Sequence, residues 1–504
     1  MPVEAPRTSG YLEVERKFDV DESTVSPSFE GIAAVARVER SPALELDAVY
    51  FDTPAHNLAS KRITLRRRTG GSDAGWHLKL PAGPDARTEV RAPLGAAESE
   101  TRDDVPSELL DVVLAIVRDR PLASVARITT RRERQLLHGT NGAVLAEFCD
   151  DHVTAWRAAT SSEAPAEQHW REWELELVAP DAAANAELLD RLSNRLLDAG
   201  AVPAGHGSKL ARVLGPTPAP NGSATSAEPV HRAVAEQVEQ LLVWDRAVRA
   251  DTDDAVHQMR VTMRKLRSLL QASPGEFGLS DDAPILDELR ELAGVLGEAR
   301  DAEVLAERYE RALDRLPPEL VRGPVRERLV DGARCRYQEG LQRSVIAMRS
   351  QRYFRLLDAL DAVVGRPPAI GSDQEAVPAT IKAAYKRVRK AAKAAAHAAE
   401  EARNLALHRI RKRAKRLRYT AAATGATHVS EQAKAIQTLL GDHQDSVVSR
   451  THLSQQAEAA HAAGDDTFTY GLLYQQEADL ADRCRQQLDD ALGKLAKAVR
   501  KTQH

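Results

Sequence analysis

The residues best placed to do chemistry recur two apart. In Tyr11-Leu-Glu-Val-Glu-Arg-Lys-Phe18, Glu13, Glu15 and Lys17 share one face, and Leu12, Val14 and Phe18 share the other with Arg16 among them. Successive strand side chains point to opposite sides, so this is a strand with one charged and one largely apolar face. The alternation returns as Arg66 and Arg68, then Lys79, then Arg87, Glu89 and Arg91. It continues as Arg132, with Arg134 a further candidate, then Glu147 and Asp151, then Glu174 and Glu176. One such strand is ordinarily a solvated ladder. Recurrence across about 170 residues instead predicts a closed antiparallel barrel with a charged, wet interior.

That mixture of charges suits one kind of ligand. Arg and Lys neutralise phosphoryl oxygens, and Arg offers planar bidentate donors. Carboxylates facing the same anion repel it unless a divalent cation lies between, and Mg²⁺ and Mn²⁺ take oxygen ligands that bridge carboxylate to phosphate. Acids and bases together therefore point to metal plus polyphosphate, and to phosphoryl transfer to water. The chain has no Gly-x4-Gly-Lys-Ser/Thr phosphate loop and no Ser/His/Asp signature. His77, His138, His152 and His206 lack metal-ligand spacing and are expected to be structural, and Trp76 and Trp173 to pack.

The elements that must position these residues can be read in order. Strand-like segments at 48–52, 63–68, 76–80 and 87–91 are separated by Thr53-Pro54, Gly70-Gly71, Pro81 and Pro93, the punctuation of an antiparallel meander. Strands resume at 125–138, 143–156 and 169–178. Helices are expected at 106–118, on Leu109, Leu110, Val113, Leu114 and Val117, and at 181–198, on Leu188, Leu189, Leu192 and Leu196. Residues 215–229 hold four prolines amid small polar residues and read as a linker. From 230 to 504 the chain is Ala-, Leu-, Arg- and Glu-rich with helical periodicity, an all-α domain of long antiparallel helices broken at Pro317-Pro318 and between Gly365 and Pro378.

The 504 residues, 43% hydrophobic and 29% charged, can build two or three cored domains. No 18-residue apolar run predicts a membrane span, the first residues lack an apolar signal core, and Cys149, Cys335 and Cys484 lie far apart. A reducing cytoplasm is the expected location. The net charge of −4 is uneven: residues 1–215 hold 26 Lys+Arg against 34 Asp+Glu, and the remainder 44 against 40. Between Lys382 and Arg418 stand 14 Lys/Arg and only two acids, Glu400 and Glu401, a block that seeks a polyanion: nucleic acid, anionic membrane or polyphosphate.

The helical region repeats itself. His257-Gln-Met-Arg-Val-Thr-Met-Arg-Lys-Leu-Arg267 and His408-Arg-Ile-Arg-Lys-Arg-Ala-Lys-Arg-Leu-Arg418 align. They place His257, Arg260, Arg264 and Arg267, and His408, Arg411, Lys415 and Arg418, within an arc of about 80° on a helix. Downstream, Val295-Leu-Gly-Glu-Ala-Arg-Asp301 resembles Leu439-Leu-Gly-Asp-His-Gln-Asp445. Asp301 and Asp445 are expected to be structural. Two related halves about a pseudo-twofold axis would bring both basic stripes onto one surface. The block's other cations, Lys382, Lys386, Arg389, Lys390, Lys393, Lys412 and Arg416, would extend it. Only Tyr385 and Tyr419 interleave with them, so base stacking on nucleic acid is disfavoured.

Taken in order, these motifs resemble a known family. Glu13-x-Glu15-x-Lys17, Tyr50-Phe-Asp-Thr53, Leu65-Arg66-x-Arg68, Trp76-x-Leu-Lys79, Arg87-x-Glu89, an Arg-rich strand at 131–134, Asp150-Asp151, Glu174-x-Glu176 and Ser208-Lys209 together resemble the CYTH superfamily of triphosphate tunnel metalloenzymes over 11–214. Residues from about 230 to 495 resemble the CHAD helical domain, on Val256-His-Gln-Met-Arg-Val261 and on Leu407-His-x-x-Arg411 through Tyr419. The resemblance implies an α+β multidomain chain: an eight-stranded antiparallel tunnel with flanking helices, then two pseudo-symmetric helical bundles. It implies Mg²⁺- or Mn²⁺-dependent hydrolysis of inorganic triphosphate. Glu13, Glu15, Asp151, Glu174 and Glu176 would hold metal, with Lys17 shared by the catalytic and phosphate-binding sets. Arg66, Arg68, Lys79, Arg87, Arg132 and Lys209 would bind phosphates. The register of the Arg-rich strand leaves Arg131, Arg132 and Arg134 in competition for the lumen, and likewise Asp150 and Asp151. The helical domain would bind long-chain polyphosphate and bring the enzyme to polyphosphate granules, with no membrane partner. The alternatives are a non-catalytic polyphosphate adaptor, or a triphosphatase acting on thiamine triphosphate or a nucleotide.

Overall fold

A computed structural model describes residues 10–94, 104–158, 167–178, 186–216, 229–272, 277–280, 283–366 and 381–502. Most of the expected 215–229 linker, and the expected break after Gly365, lie outside them. The chain packs as two units, residues 1–293 with 344–369, and residues 294–343 with 370–504.

The first unit begins with the barrel. Its strands are β1 (Gly10–Val20), β2 (Arg37–Arg40), β3 (Leu44–Asp52), β4 (Thr64–Thr69), β5 (Gly75–Pro81), β6 (Ala86–Ala92), β7 (Ala123–His138), β8 (Val144–Arg157), β9 (Glu167–Leu177) and β10 (Val202–Pro203). Eight of them close in the order β1-β6-β5-β4-β3-β7-β8-β9, with β9 returning to β1, and all pair antiparallel. β2 adds to β7, and β10 adds to β1. Among the described residues four helices accompany the barrel: α1 (Asn57–Ser60), α2 (Ser107–Val117), α3 (Ala186–Asp198) and α4 (Lys209–Leu214).

The helices explain why the strand faces are inverted. Leu189, Leu192 and Leu196 of α3 are buried against Phe18, Phe148, Trp173 and Leu175, all on the outer wall. Leu109, Val113 and Val117 of α2 cover Leu65, Trp76, Leu78 and Leu80. Leu210 and Val213 of α4 pack instead with Tyr50 and Ile128, which line the lumen, and with Val153. At about 25 cal/mol per Å² of apolar surface removed from water, the outer seams under α2 and α3 supply the drive for closure. The charged faces are thereby left to the lumen. Gly70 makes the turn after β4 with φ +83°, where a Cβ would stand 2.1 Å from the Glu45 carbonyl, so only glycine fits.

From residue 229 onward the described residues are helical: α5 (Pro229–Arg249), α6 (Ala255–Ala272), α7 (Pro284–Asp314), α8 (Gly332–Met348), α9 (Gln351–Gly365), α10 (Ile381–Ala396), α11 (Glu400–Ala423), α12 (Thr427–Ala462) and α13 (Phe468–Lys501). Short 3₁₀ and π turns stand before α8. In the first unit Arg118, at the end of α2, pairs with Asp358 and Asp361 of α9. In the second unit, Val388 of α10, Ile410, Ala414 and Leu417 of α11, Ile436 and Leu440 of α12 and Leu495 of α13 form one buried core.

Candidate active site in the tunnel

Every strand of the closed barrel contributes to a lumen of about 300 Å³. Most of the acids in and behind its lining fall into two groups. Glu15 and Glu147 each stand opposite Glu176 across a strand pair, and Glu13 lies two residues before Glu15 on β1. Burial first, then Glu13, Glu15 and Glu147, push Glu176 up to about 7. Burial also raises Glu13, with Glu89 adding to it and Lys79, 2.5 Å away, opposing. Burial alone would raise Glu15, but Lys17 at 2.9 Å and then Lys79 outweigh it and hold it low.

The second group is Asp151, Glu172 and Glu174, whose carboxylate oxygens lie within 4.8 Å of one another. Their geometry would accept a cation, and a cation of the protein is already among them. Lys209 Nζ stands 2.8 Å from Asp151, 2.8 Å from Glu172 and 2.7 Å from Glu174. Arg132 grips Asp151 with both arms at 2.8 and 2.7 Å and reaches Glu174 at 2.5 Å. Lys17 pairs with Glu174 as well as with Glu15, linking the two groups. The acids of this group that shift are held low: burial opposes, and Lys209 outweighs it at Glu172, Lys17 and Lys209 at Glu174.

The five acids expected to hold metal are thus divided. Glu13 and Glu176 are raised, the condition a divalent cation relieves, and Glu15 and Glu147 stand beside Glu176 across its two strand pairs. Asp151 and Glu174 are neutralised by the protein's own side chains. The donor set of the first group, carboxylate oxygens alone, fits a hard divalent cation.

On the β3–β4 side the balance is reversed. Arg66 Nε and Arg68 Nε are buried without a hydrogen-bond partner. Arg66 reaches Tyr50 Oη at 3.4 Å, and Arg68 pairs with Asp73. Burial, then Arg66 and Arg132, pull Arg68 down to about 9. Arg68 is short of counter-charge, and a polyanion supplies it.

The register resolves the two competitions. Arg132 lines the lumen and opposes Asp151 in the β7–β8 ladder, which puts Asp151 on the same face behind it. Arg134 also lines it, whereas Arg131 is exposed and pairs with Glu133. Asp150 faces outward and receives both arms of Arg171 at 2.8 and 2.6 Å. Arg87 lines the lumen 3.7 Å from Glu15 and donates to the Gly207 carbonyl. Lys209 enters from the first turn of α4, whose cap is the Ser208 hydroxyl accepting from Ala211 N at 3.1 Å.

Four lumen residues were given no role from sequence. Glu172 continues the Glu174–Glu176 alternation one step back and accepts from Trp170 Nε1 at 2.6 Å. Glu147 carries the alternation outside the motifs, and Glu89 closes the Arg87-x-Glu89 motif without an assigned ligand. His77 orients Glu89, with Nδ1 at 2.8 Å, and its Nε2 meets the Asp73 carbonyl at 2.9 Å, a structural duty as expected. Tyr50 shares its cross-strand position with Arg66.

In the helical region each basic stripe lies on one helix. His257, Arg260 and Arg267 of α6 are half-buried and Arg264 is exposed; His408, Arg411, Lys415 and Arg418 of α11 are all half-buried. Lys382, Lys386, Arg389, Lys390 and Lys393 of α10, with Lys412 and Arg416 of α11, are exposed. Arg411 lies over Gly441 of α12, where a Cβ would stand 3.5 Å from its Nη2. Burial raises Asp445, while Arg308 and then Arg411 oppose, in keeping with a structural acid.

Comparison with known proteins divides the chain where the barrel gives way to the helices. Residues 12–200 match the CYTH domain and residues 232–454 the CHAD domain. Two uncharacterized proteins of Mycobacterium tuberculosis, from strains CDC 1551 / Oshkosh and ATCC 25618 / H37Rv, are 71% identical over 514 residues, covering 99% of each chain. Among solved structures, the CHAD domain from the plant Ricinus communis is 23% identical, covers 54% of this chain and 96% of its own, and gives a TM-score of 0.41. PptA from Streptomyces chartreusis is 18% identical, covers 52% and 97%, and gives 0.43.

Proposed function

We propose, from the premise that this chain belongs to the proteins joining a CYTH domain to a CHAD domain, that the tunnel hydrolyses inorganic triphosphate with Mg²⁺ or Mn²⁺. The observation that carries the reading is the split of charge inside one lumen, with carboxylates pushed up at Glu13 on β1 and Glu176 on β9, and a guanidinium pulled down at Arg68 on β4. A linear polyanion bridging the two sides, with a divalent cation on the acidic side, satisfies both.

Arg66 and Arg68 would hold the end of the anion nearest β4. Lys17, Lys79, Arg132 and Lys209 would bind phosphoryl oxygens along it, each held in place by a carboxylate partner. Water attacks a terminal phosphorus, and the bond to the diphosphate oxygen breaks. Phosphate and diphosphate leave, and the water's proton passes to solvent. A bound divalent cation would neutralise charge on the reacting phosphoryl group and lower the barrier to attack. Glu13, Glu15 and Glu176 would hold it, with Glu147 beside them. The test is phosphate release from triphosphate with each metal, wild type against Glu15→Gln. We expect a loss on the order of a hundredfold, as for removal of a group that stabilises transition-state charge. Equal rates would remove the acidic cluster from the reaction. Running thiamine triphosphate and ATP beside triphosphate decides the substrate.

The helical domain would bind long-chain polyphosphate through the cations of α6, α10 and α11 and bring the enzyme to granules. This reading rests on the density of Lys and Arg on exposed helix faces with few aromatics between them. Granule association with no triphosphate turnover would favour the adaptor reading.

A further inference from the structure

The barrel wall is not laddered all the way round. On one edge β1 pairs with β6 only as far as Val14 opposite Ala86, and with β10 at Phe18 and Asp19. Between those ladders Glu15 N donates to the Asp85 carbonyl at 2.9 Å, and Ala204 N donates to the Lys17 carbonyl at 2.9 Å. These are single bonds to two turns, not a continuous strand.

A second cavity, about 540 Å³, lies against this gap. The β5–β6 turn, Ser193 and Asn194 of α3 and the 204–207 loop line it, and it shares Glu15, Lys17 and Arg87 with the lumen. Where a ladder runs, backbone separates inside from outside. Here three charged side chains do so, and side chains can swing. Arg87 spans the gap from β6 to the Gly207 carbonyl. The far wall is open by composition, because a Cβ at Gly205 would meet nothing within 4 Å, and one at Gly207 would meet the Arg87 guanidinium at 3.3 Å. Arg16 is fixed in the outer rim by Asp85 at 3.0 Å and Asp190 at 2.8 Å.

We infer that this gap is a lateral port through which inorganic phosphate leaves the lumen, with Arg87 as its gate. The inference rests on the proposed hydrolysis, which makes two anions in a tunnel whose cations retain both. A phosphate beside Lys17 passes to Arg87 as the guanidinium leaves the Gly207 carbonyl, so its charge is matched along the path. The vestibule then releases it while diphosphate remains held.

The test blocks the vestibule from two elements, with Ala204→Trp on the loop and Asn194→Trp on α3. Exchange of inorganic phosphate with the full-length protein, followed by ³¹P NMR, reads the route without requiring catalysis. A blocked route slows association and dissociation alike, so we expect both rates to fall by about fivefold or more with Kd unchanged. Unaltered melting temperatures show that both variants fold. In turnover, phosphate should appear after triphosphate is consumed in the variants and together with it in wild type. Wild-type exchange rates in both variants, or no phosphate uptake by wild type, would overturn the port. Slowed exchange without triphosphate hydrolysis would keep the port and sink the proposed reaction; hydrolysis with unslowed exchange would do the reverse.

Discussion

Glu176 is where the charge balance of the lumen is least satisfied, and its proton reports on that balance. Its folded value, about 7, lies above the ordinary carboxylate range, so between about 4.5 and 7 the folded chain binds more protons than the unfolded one. Stability is therefore fully present below the unfolded value and is lost as pH rises through 7, by an amount on the order of 1–3 kcal/mol for the metal-free protein. A divalent cation must displace that proton. Calorimetric titration of Mg²⁺ at pH 6 in two buffers of different ionisation enthalpy should show net proton release, and Glu176→Gln should abolish it. Zero release in wild type would place the cation elsewhere. Alternation in the sequence marked Glu174 and Glu176 but not Glu172, because the pair already satisfied a two-carboxylate pattern. It could not choose Arg132 over Arg131, since one residue of register exchanges the faces. The β7–β8 ladder decides that, and sequence carries no local signal for it.

The barrel's elements invert the usual polarity because helices, not water, cover the outside. That made the strands legible: β4, β5, β6, β8 and β9 fall close to the segments read from alternation and from Gly and Pro punctuation. β2 was not legible, since Arg37-Val-Glu-Arg40 has a single apolar residue and exists by pairing with β7. β10 is two residues long and has no pattern to read. α4 is one short turn-and-a-half, yet it delivers Lys209. If the outer seam holds the lumen in shape, truncating it should reach the site at a distance. Leu192 of α3 is fully buried against the outer face of the wall that carries Glu172, Glu174 and Glu176 inside. We expect Leu192→Ala to cost about 2–5 kcal/mol, as buried leucine truncations do, read as a lower urea midpoint. A cost under about 0.5 kcal/mol, typical of surface positions, would mean the seam does not brace β9.

At the scale of the whole chain, charge is divided by task. The barrel region is acidic overall yet places a set of cations in the lumen, most of them beside a carboxylate. The helical region is basic overall and leaves many of its cations on exposed faces of α10 and α11. A cation held by a carboxylate is preorganised for one small ligand, whereas exposed cations in rows suit a long anion of no fixed length. That difference predicts opposite salt responses. Binding of long-chain polyphosphate should weaken steeply with ionic strength, since exposed pairs are screened within about 8–10 Å at 0.1–0.15 M salt. Replacing Lys386, Arg389 and Lys393 with Glu should lower polyphosphate affinity at least about tenfold at low salt and flatten the salt dependence, by analogy with counterion release from other polyanions. Fluorescence anisotropy with labelled polyphosphate across a salt series measures both. RNA of matched charge competing equally well would show a surface that reads only charge. Wild-type affinity in the triple variant would move the polyphosphate site off α10.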